Sequence, residues 1–283
     1  MTISTDPRGW YTLEHDIDPA VVEQLRQVGP IDKLSATKIP LVTVKLARRL
    51  SGLRVHNLWL WSDVTRRAMR QIVQIQGLRV LDVLCMKGPG KLENFRRAET
   101  LETFRANHYM TEADLMEVTQ CTQLVELGAQ GAELSTKSVA AILALPNLTS
   151  LDLESTRFND SIAKKVSRSK TIESLDVGAT HVTGVGLEHL AQMKQIRSID
   201  LWATDITEAD LRLLLEMPNL EYVSLGNCDG CQQLDAEKVA SVILESPSLK
   251  RVWLDGIRLN EVQKSALETK LECLRVTSLS DVA

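Results

Sequence analysis

Cysteines, long apolar runs and net charge are all scarce in this sequence, and each shortage argues against a class of protein. No apolar stretch approaches the roughly 18 uncharged residues of a membrane helix, and the start, Met1 to Trp10, lacks the apolar core of a secretory signal. A soluble, cytoplasmic protein without a membrane partner is expected; delivery to another cell would have to proceed without a cleavable signal. The five cysteines, Cys85, Cys121, Cys228, Cys231 and Cys273, are odd in number and scattered, unlike a disulfide framework, and are expected as reduced thiols. A net charge of -4 argues against a general nucleic-acid binder. There is no G-x-S-x-G, no P-loop and no H-E-x-x-H, so an enzyme with one of those chemistries is not expected, nor is a cofactor.

What is present is enough apolar residue, 44%, and charge, 25%, for a folded chain. The charge is unevenly placed: residues 1–110 hold 17 Lys+Arg against 11 Asp+Glu, and the remainder holds 16 against 26. At 283 residues the chain is long for one conventional core, so internal repetition is the first question. One pattern recurs: an aliphatic residue, two variable positions, an aliphatic, one variable position, and a third aliphatic or small residue. Its clearest copies are Leu148/Leu151/Leu153, Ile172/Leu175/Val177, Ile196/Ile199/Leu201 and Leu220/Val223/Leu225, whose middle members stand 24 apart. The series extends back through Leu127, Phe104, Leu81, Leu58 and Leu34, and forward by a 29-residue and then a 22-residue step to Val252 and Leu274.

About eleven copies over residues 31–277 resemble the leucine-rich repeat, L-x-x-L-x-L-x-x-N/C-x-L. The continuations Thr156/Phe158, Thr180/Val182 and Thr204/Ile206 resemble its 24-residue, bacterial-type subtype. The resemblance implies an α/β fold, a right-handed βα solenoid of ribonuclease-inhibitor-like horseshoe form, with a concave parallel sheet and short convex helices. The residues give the same picture independently. Alternation through Leu151, Asp152 and Leu153 is a strand with one buried face, and Val139, Ile142, Leu143 and Leu145 have helical spacing. One strand and one short helix cannot bury their own apolar faces, so neighbours must stack. Pro146, Pro218 and Pro247 stop helices before the next strand. Residues 1–30 are expected to be a helical N-terminal cap, with Asp18 capping a helix, Pro19 in its first turn and Gly29-Pro30 ending it, and residues 31–283 the repeat domain.

Residues between the buried aliphatics should face outward from the concave strands. They form an acidic ladder, Asp152, Asp176 and Asp200, supplemented by Glu126 and Glu154, in which like charges on adjacent strands would be relieved by a cationic partner. Exposed carboxylates on an open, wet face cost little, however, and Leu-Asp-Leu is frequent in this kind of repeat. Four of five tryptophans, Trp59, Trp61, Trp202 and Trp253, fall on outward positions beside Tyr222, where packing in the core does not explain them and where binding hot spots concentrate such residues. The five extra residues of the long repeat fall in 226–234, on the same rim.

Cys228 and Cys231 have the spacing of half a zinc site, but Cys228 stands at the Thr204 position of its repeat and no second pair accompanies it. The five histidines lie in different repeats. Arg66, Arg67 and Arg70 read as a solvated helix face that Asp63 would cap. The expectation is therefore a non-enzymatic scaffold that binds a protein partner on its concave face, in an adaptor, immunity or effector role. The competing reading is nucleic-acid or anionic-ligand binding through the basic N-terminal half.

Overall fold

In the computed structural model, residues 5–227 and 233–277 are described, and the chain divides into two compact units, residues 1–148 and 149–283. In both, a strand is followed by a helix or short helical turn, and the next strand pairs parallel to the last.

The first unit holds β1 (Trp10–Glu14), α1 (Pro19–Val28), β2 (Ile31–Thr37), α2 (Val44–Leu50), β3 (Val55–Thr65), α3 (Arg66–Ile72), β4 (Val80–Lys87), a 3-10 turn (Phe95–Arg97), β5 (Thr103–Ala106), α4 (Glu112–Val118), β6 (Glu126–Ala129) and α5 (Thr136–Leu143). Its strands pair in chain order, with Tyr11, Leu34, Leu58, Leu81, Phe104 and Leu127 in one continuous register. The last five of these are completely buried, as the repeat spacing requires. A fully buried Leu or Phe contributes about 1.5–3 kcal/mol, so such a column supplies much of the driving force for stacking. Segment 10–30 carries the expected helix: Asp18 Oδ1 accepts the Ala20 N–H at 2.7 Å, Pro19 opens α1 and Gly29 follows it at φ 97°. Ahead of that helix lies a strand, β1, which adds one more rung than the repeats alone indicate.

The second unit holds β7 (Ser150–Asp152), α6 (Asp160–Val166), β8 (Ser174–Asp176), α7 (Gly184–Leu190), β9 (Ser198–Asp200), a 3-10 segment (Asp210–Glu216), β10 (Tyr222–Gly226), α8 (Ala236–Glu245), β11 (Arg251–Asp255), α9 (Glu261–Lys270) and β12 (Cys273–Thr277). Leu151, Leu175, Ile199, Val223, Val252 and Leu274 stand in register. The threonine that follows each triplet closes the turn after its strand. Thr156, Thr180 and Thr204 are buried and donate their hydroxyls to the carbonyls of Leu153, Val177 and Leu201 at 2.7, 2.6 and 2.8 Å. The residues just before them, Ser155, Ala179 and Ala203, take positive φ of 57°, 51° and 53° to make the turn. Cys228, at the corresponding position of the long repeat, and Cys231 lie outside the described residues.

Two local expectations are corrected. Helix α3 is capped by Thr65, whose Oγ1 accepts the Ala68 N–H at 3.3 Å, and not by Asp63, which lies within β3. Arg66 is not on a solvated face: it is buried, and its Nε lies 2.8 Å from Asp114 Oδ2. No helix among the described residues is long and apolar enough to cross a membrane.

Candidate functional site

The register of the second unit sets its outward residues in rows. One row runs Ser150, Ser174, Ser198, Tyr222, Arg251; the next runs Asp152, Asp176, Asp200, Ser224, Trp253, Arg275. The expected ladder is therefore a real column of side chains on adjacent strands, which parallel pairing holds ~4.8 Å apart. Each aspartate also has a local task. Asp152, Asp176 and Asp200 accept the backbone N–H two residues on, from Glu154, Gly178 and Trp202, at 2.9, 2.9 and 2.8 Å. Short carboxylate side chains make this strand-ending turn readily, which accounts for the aspartates individually but not for their company.

A hollow of about 240 Å³ opens beside them, lined among others by Glu154, Asp176, Asp200, Trp202, Trp253 and Arg275. Its walls take the carboxylates partly out of water, contrary to the expectation of an open, wet face. Asp176 is pushed up to about 8, first by burial and then by the charges of Asp200 and Asp152, against the Gly178 N–H that lowers it. Burial likewise raises Asp200, and burial with the charges of Asp152 and Asp200 raises Glu154. One carboxylate oxygen from each of Asp152, Glu154 and Asp176 lies within 4.8 Å of the others. Three such ligands supply about half of the six to eight oxygens a calcium ion takes.

The aromatic wall divides into dissimilar parts. Trp253 is 42% exposed, meets the Tyr222 ring edge-on with centroids 5.7 Å apart, and carries the Arg275 guanidinium 4.7 Å above its own ring. Burial, then the Asp200 charge, pushes the Tyr222 hydroxyl up to about 12. Trp202 is half-buried, and its indole Nε1 is fully buried without a hydrogen-bond partner among the described residues. The ring edge lies on Gly226, where an added Cβ would stand 2.2 Å from Trp202 Cδ1 and 2.9 Å from the Asp255 carbonyl. Gly226→Ala is accordingly expected to dislodge Trp202 and cost about 1–3 kcal/mol, the range for overpacking. A shifted tryptophan emission with a lowered denaturation midpoint would show this; two unchanged readouts would mean that the ring does not rest there.

The remaining site residues fall in the first unit. Trp59 is sandwiched between Trp10, at a centroid distance of 4.3 Å, and Trp61, at 6.2 Å. Trp61 is 54% exposed and stands where the register of β3 with β4 shifts. Trp10 was not singled out by the repeat pattern, although the alternation Trp10, Thr12 against Tyr11, Leu13 carries the strand signal. Glu126 is held within its own unit by Arg105, whose Nη2 lies 2.6 Å from it while Nη1 approaches Asp82 at 3.8 Å. Part of the basic character of this unit is absorbed in the same way. Arg49 pairs with Asp16, Arg66 with Asp114, Arg70 with Glu93 and Arg79 with Glu102. That removes Arg66 from any anion-binding face.

No family model matches this sequence, and no curated protein does. The fold, by contrast, is similar to that of an internalin from Listeria monocytogenes, 13% identical with a TM-score of 0.51 over 94% of this chain and 86% of that one. It is also similar to a chain of the Rad7–Elc1 complex of yeast, 18% identical with a TM-score of 0.61 over 94% of this chain and 72% of that one. At these identities the likeness is one of architecture. Together with the alternating helices and parallel strands it establishes an α/β solenoid of leucine-rich-repeat type.

Proposed function

We propose that this protein is a non-enzymatic interaction scaffold that holds a protein partner against the outward face of its strands, in an adaptor, immunity or effector role of bacterial type. The observation that carries the reading is the hollow in the second unit, where Glu154, Asp176 and Asp200 meet Trp202 and Trp253. Half-buried carboxylates beside aromatic faces suit a lysine or arginine side chain of the partner, which gains both ion pairing and contact with the ring faces. One of the neighbours in fold comes from a solved complex of two proteins, which agrees with such a role. Trp59 and Trp61 offer a second aromatic patch in the first unit.

The test is affinity capture from the native cell with mass-spectrometric identification, followed by titration calorimetry with the partner found. Trp253→Ala should weaken binding by about 2 kcal/mol or more, the scale of a hot-spot truncation, and Asp152→Lys with Asp176→Lys and Asp200→Lys should abolish it. Trp253 is the residue to change because Trp202 also supports the turn at Gly226. Equal affinity for the wild type and Trp253→Ala would remove the hollow from the interface.

A further inference from the structure

The second unit is acidic, with 15 Lys+Arg against 21 Asp+Glu in residues 149–283, yet four of those cations are packed into seven residues, Lys164, Lys165, Arg168 and Lys170. No carboxylate occurs between Asp160 and Glu173. Lys164 and Lys165 lie in the last turn of α6, where positive charge complements the helix dipole. Arg168 and Lys170 lie past the capping residue Ser167, so the dipole does not account for them. Four other cations of the unit have carboxylate partners: Arg197 with Glu173 and Glu221, Arg212 with Glu245, Lys238 with Glu208 and Lys250 with Glu221. Lys164, Arg168 and Lys170 make no ion pair among the described residues, and all three are exposed.

The three converge on a hollow of about 540 Å³ on the helical side, completed by Ser167 and, from the next repeat, by His189 and Gln192. Its lining contains cations and neutral hydrogen-bonding groups and no carboxylate. We propose that this hollow is a binding site for a compact oligophosphate. A guanidinium, two ammonium groups and neutral side chains that can donate hydrogen bonds provide what phosphate oxygens accept. Compactness follows from the surroundings: Glu173 bounds the cationic run in sequence and Glu188 adjoins His189, so an extended polyanion would pass from the cations onto carboxylates. This site stands apart in sequence from the basic N-terminal half.

The experiment titrates the full chain with inorganic tripolyphosphate by calorimetry at low salt, with heparin and duplex DNA as parallel probes. Saturable binding of tripolyphosphate is expected, weakened at least tenfold by Lys164→Glu with Arg168→Glu and Lys170→Glu, and substantially by the corresponding Gln variant, whose fold is checked by circular dichroism. A control with the same charge change in the first unit, Lys91→Glu with Arg96→Glu and Arg97→Glu, should bind as the wild type does. Absence of saturable binding, equal loss in the control, or binding of heparin and DNA through these three residues without tripolyphosphate would each overturn the proposal.

Discussion

Arg66→Ala is expected to destabilise the fold by about 3–5 kcal/mol, the cost of leaving one half of a buried ion pair behind, whereas the same change at exposed Arg67 should cost no more than ~0.5 kcal/mol. The two arginines are neighbours on α3, and the difference lies in what each touches. Arg66 Nε donates to Asp114 Oδ2 at 2.8 Å, Nη1 donates to the Gly88 carbonyl at 2.9 Å, and Nη2 donates to the Tyr109 carbonyl. One side chain thereby ties together three segments 22 to 48 residues distant in sequence. Asp114 is 1% exposed and also closes the capping box of α4, accepting the Thr111 N–H at 3.0 Å. Without Arg66 that carboxylate is left buried near two orphaned carbonyls. Lysine should restore only part of the loss, because a single ammonium lacks the planar fork that reaches three acceptors. Guanidinium denaturation followed by circular dichroism would measure all three variants; a midpoint for Arg66→Ala equal to that of Arg67→Ala would show the network to be dispensable.

The same residue marks the boundary of what the sequence makes legible. The aliphatic triplets are local and periodic, so the buried columns through Leu81 and Leu175 follow from counting, and so do the outward rows that carry Asp176 and Trp253. Thr156, Thr180 and Thr204 are legible too, because their turn closes within four residues. Arg66 is not, since its partner stands 48 positions on and nothing in the run Arg66, Arg67, Arg70 distinguishes the buried member. Trp10 precedes the first full triplet, so the periodic pattern stops one strand short of it. The electrostatics of the ladder were hidden for another reason. Register places the aspartates side by side, but the hollow that takes them partly out of water is walled in part by the Trp202 and Trp253 side chains, and where the Trp202 ring rests depends on a small local fact, the missing Cβ at Gly226.

Those walls lead to the second large effect. Asp176 sits near an ordinary carboxylate value of 3.8 in the unfolded chain and at about 8 in the fold, through burial and the neighbouring charges. A raised value means that the folded state holds the proton more tightly, so the associated stability is complete below about pH 4 and is lost as the pH rises through 8. Asp176→Asn keeps an oxygen to accept the Gly178 N–H and removes the charge. It should therefore flatten this slope and leave the protein about 2 kcal/mol more stable than the wild type at pH 8.5, after discounting ~1.4 kcal/mol per pKa unit for water reaching the hollow. Thermal unfolding of both proteins from pH 5 to pH 8.5 would read it out, and parallel curves would refute it. A cationic partner reverses the sign: it favours the ionised carboxylates, so protons must leave on binding and affinity should climb over the same interval by up to about tenfold per pH unit for each proton released. Rising pH thus weakens the free fold at the ladder while strengthening capture there, and only a ligand that brings positive charge into the hollow produces that opposition.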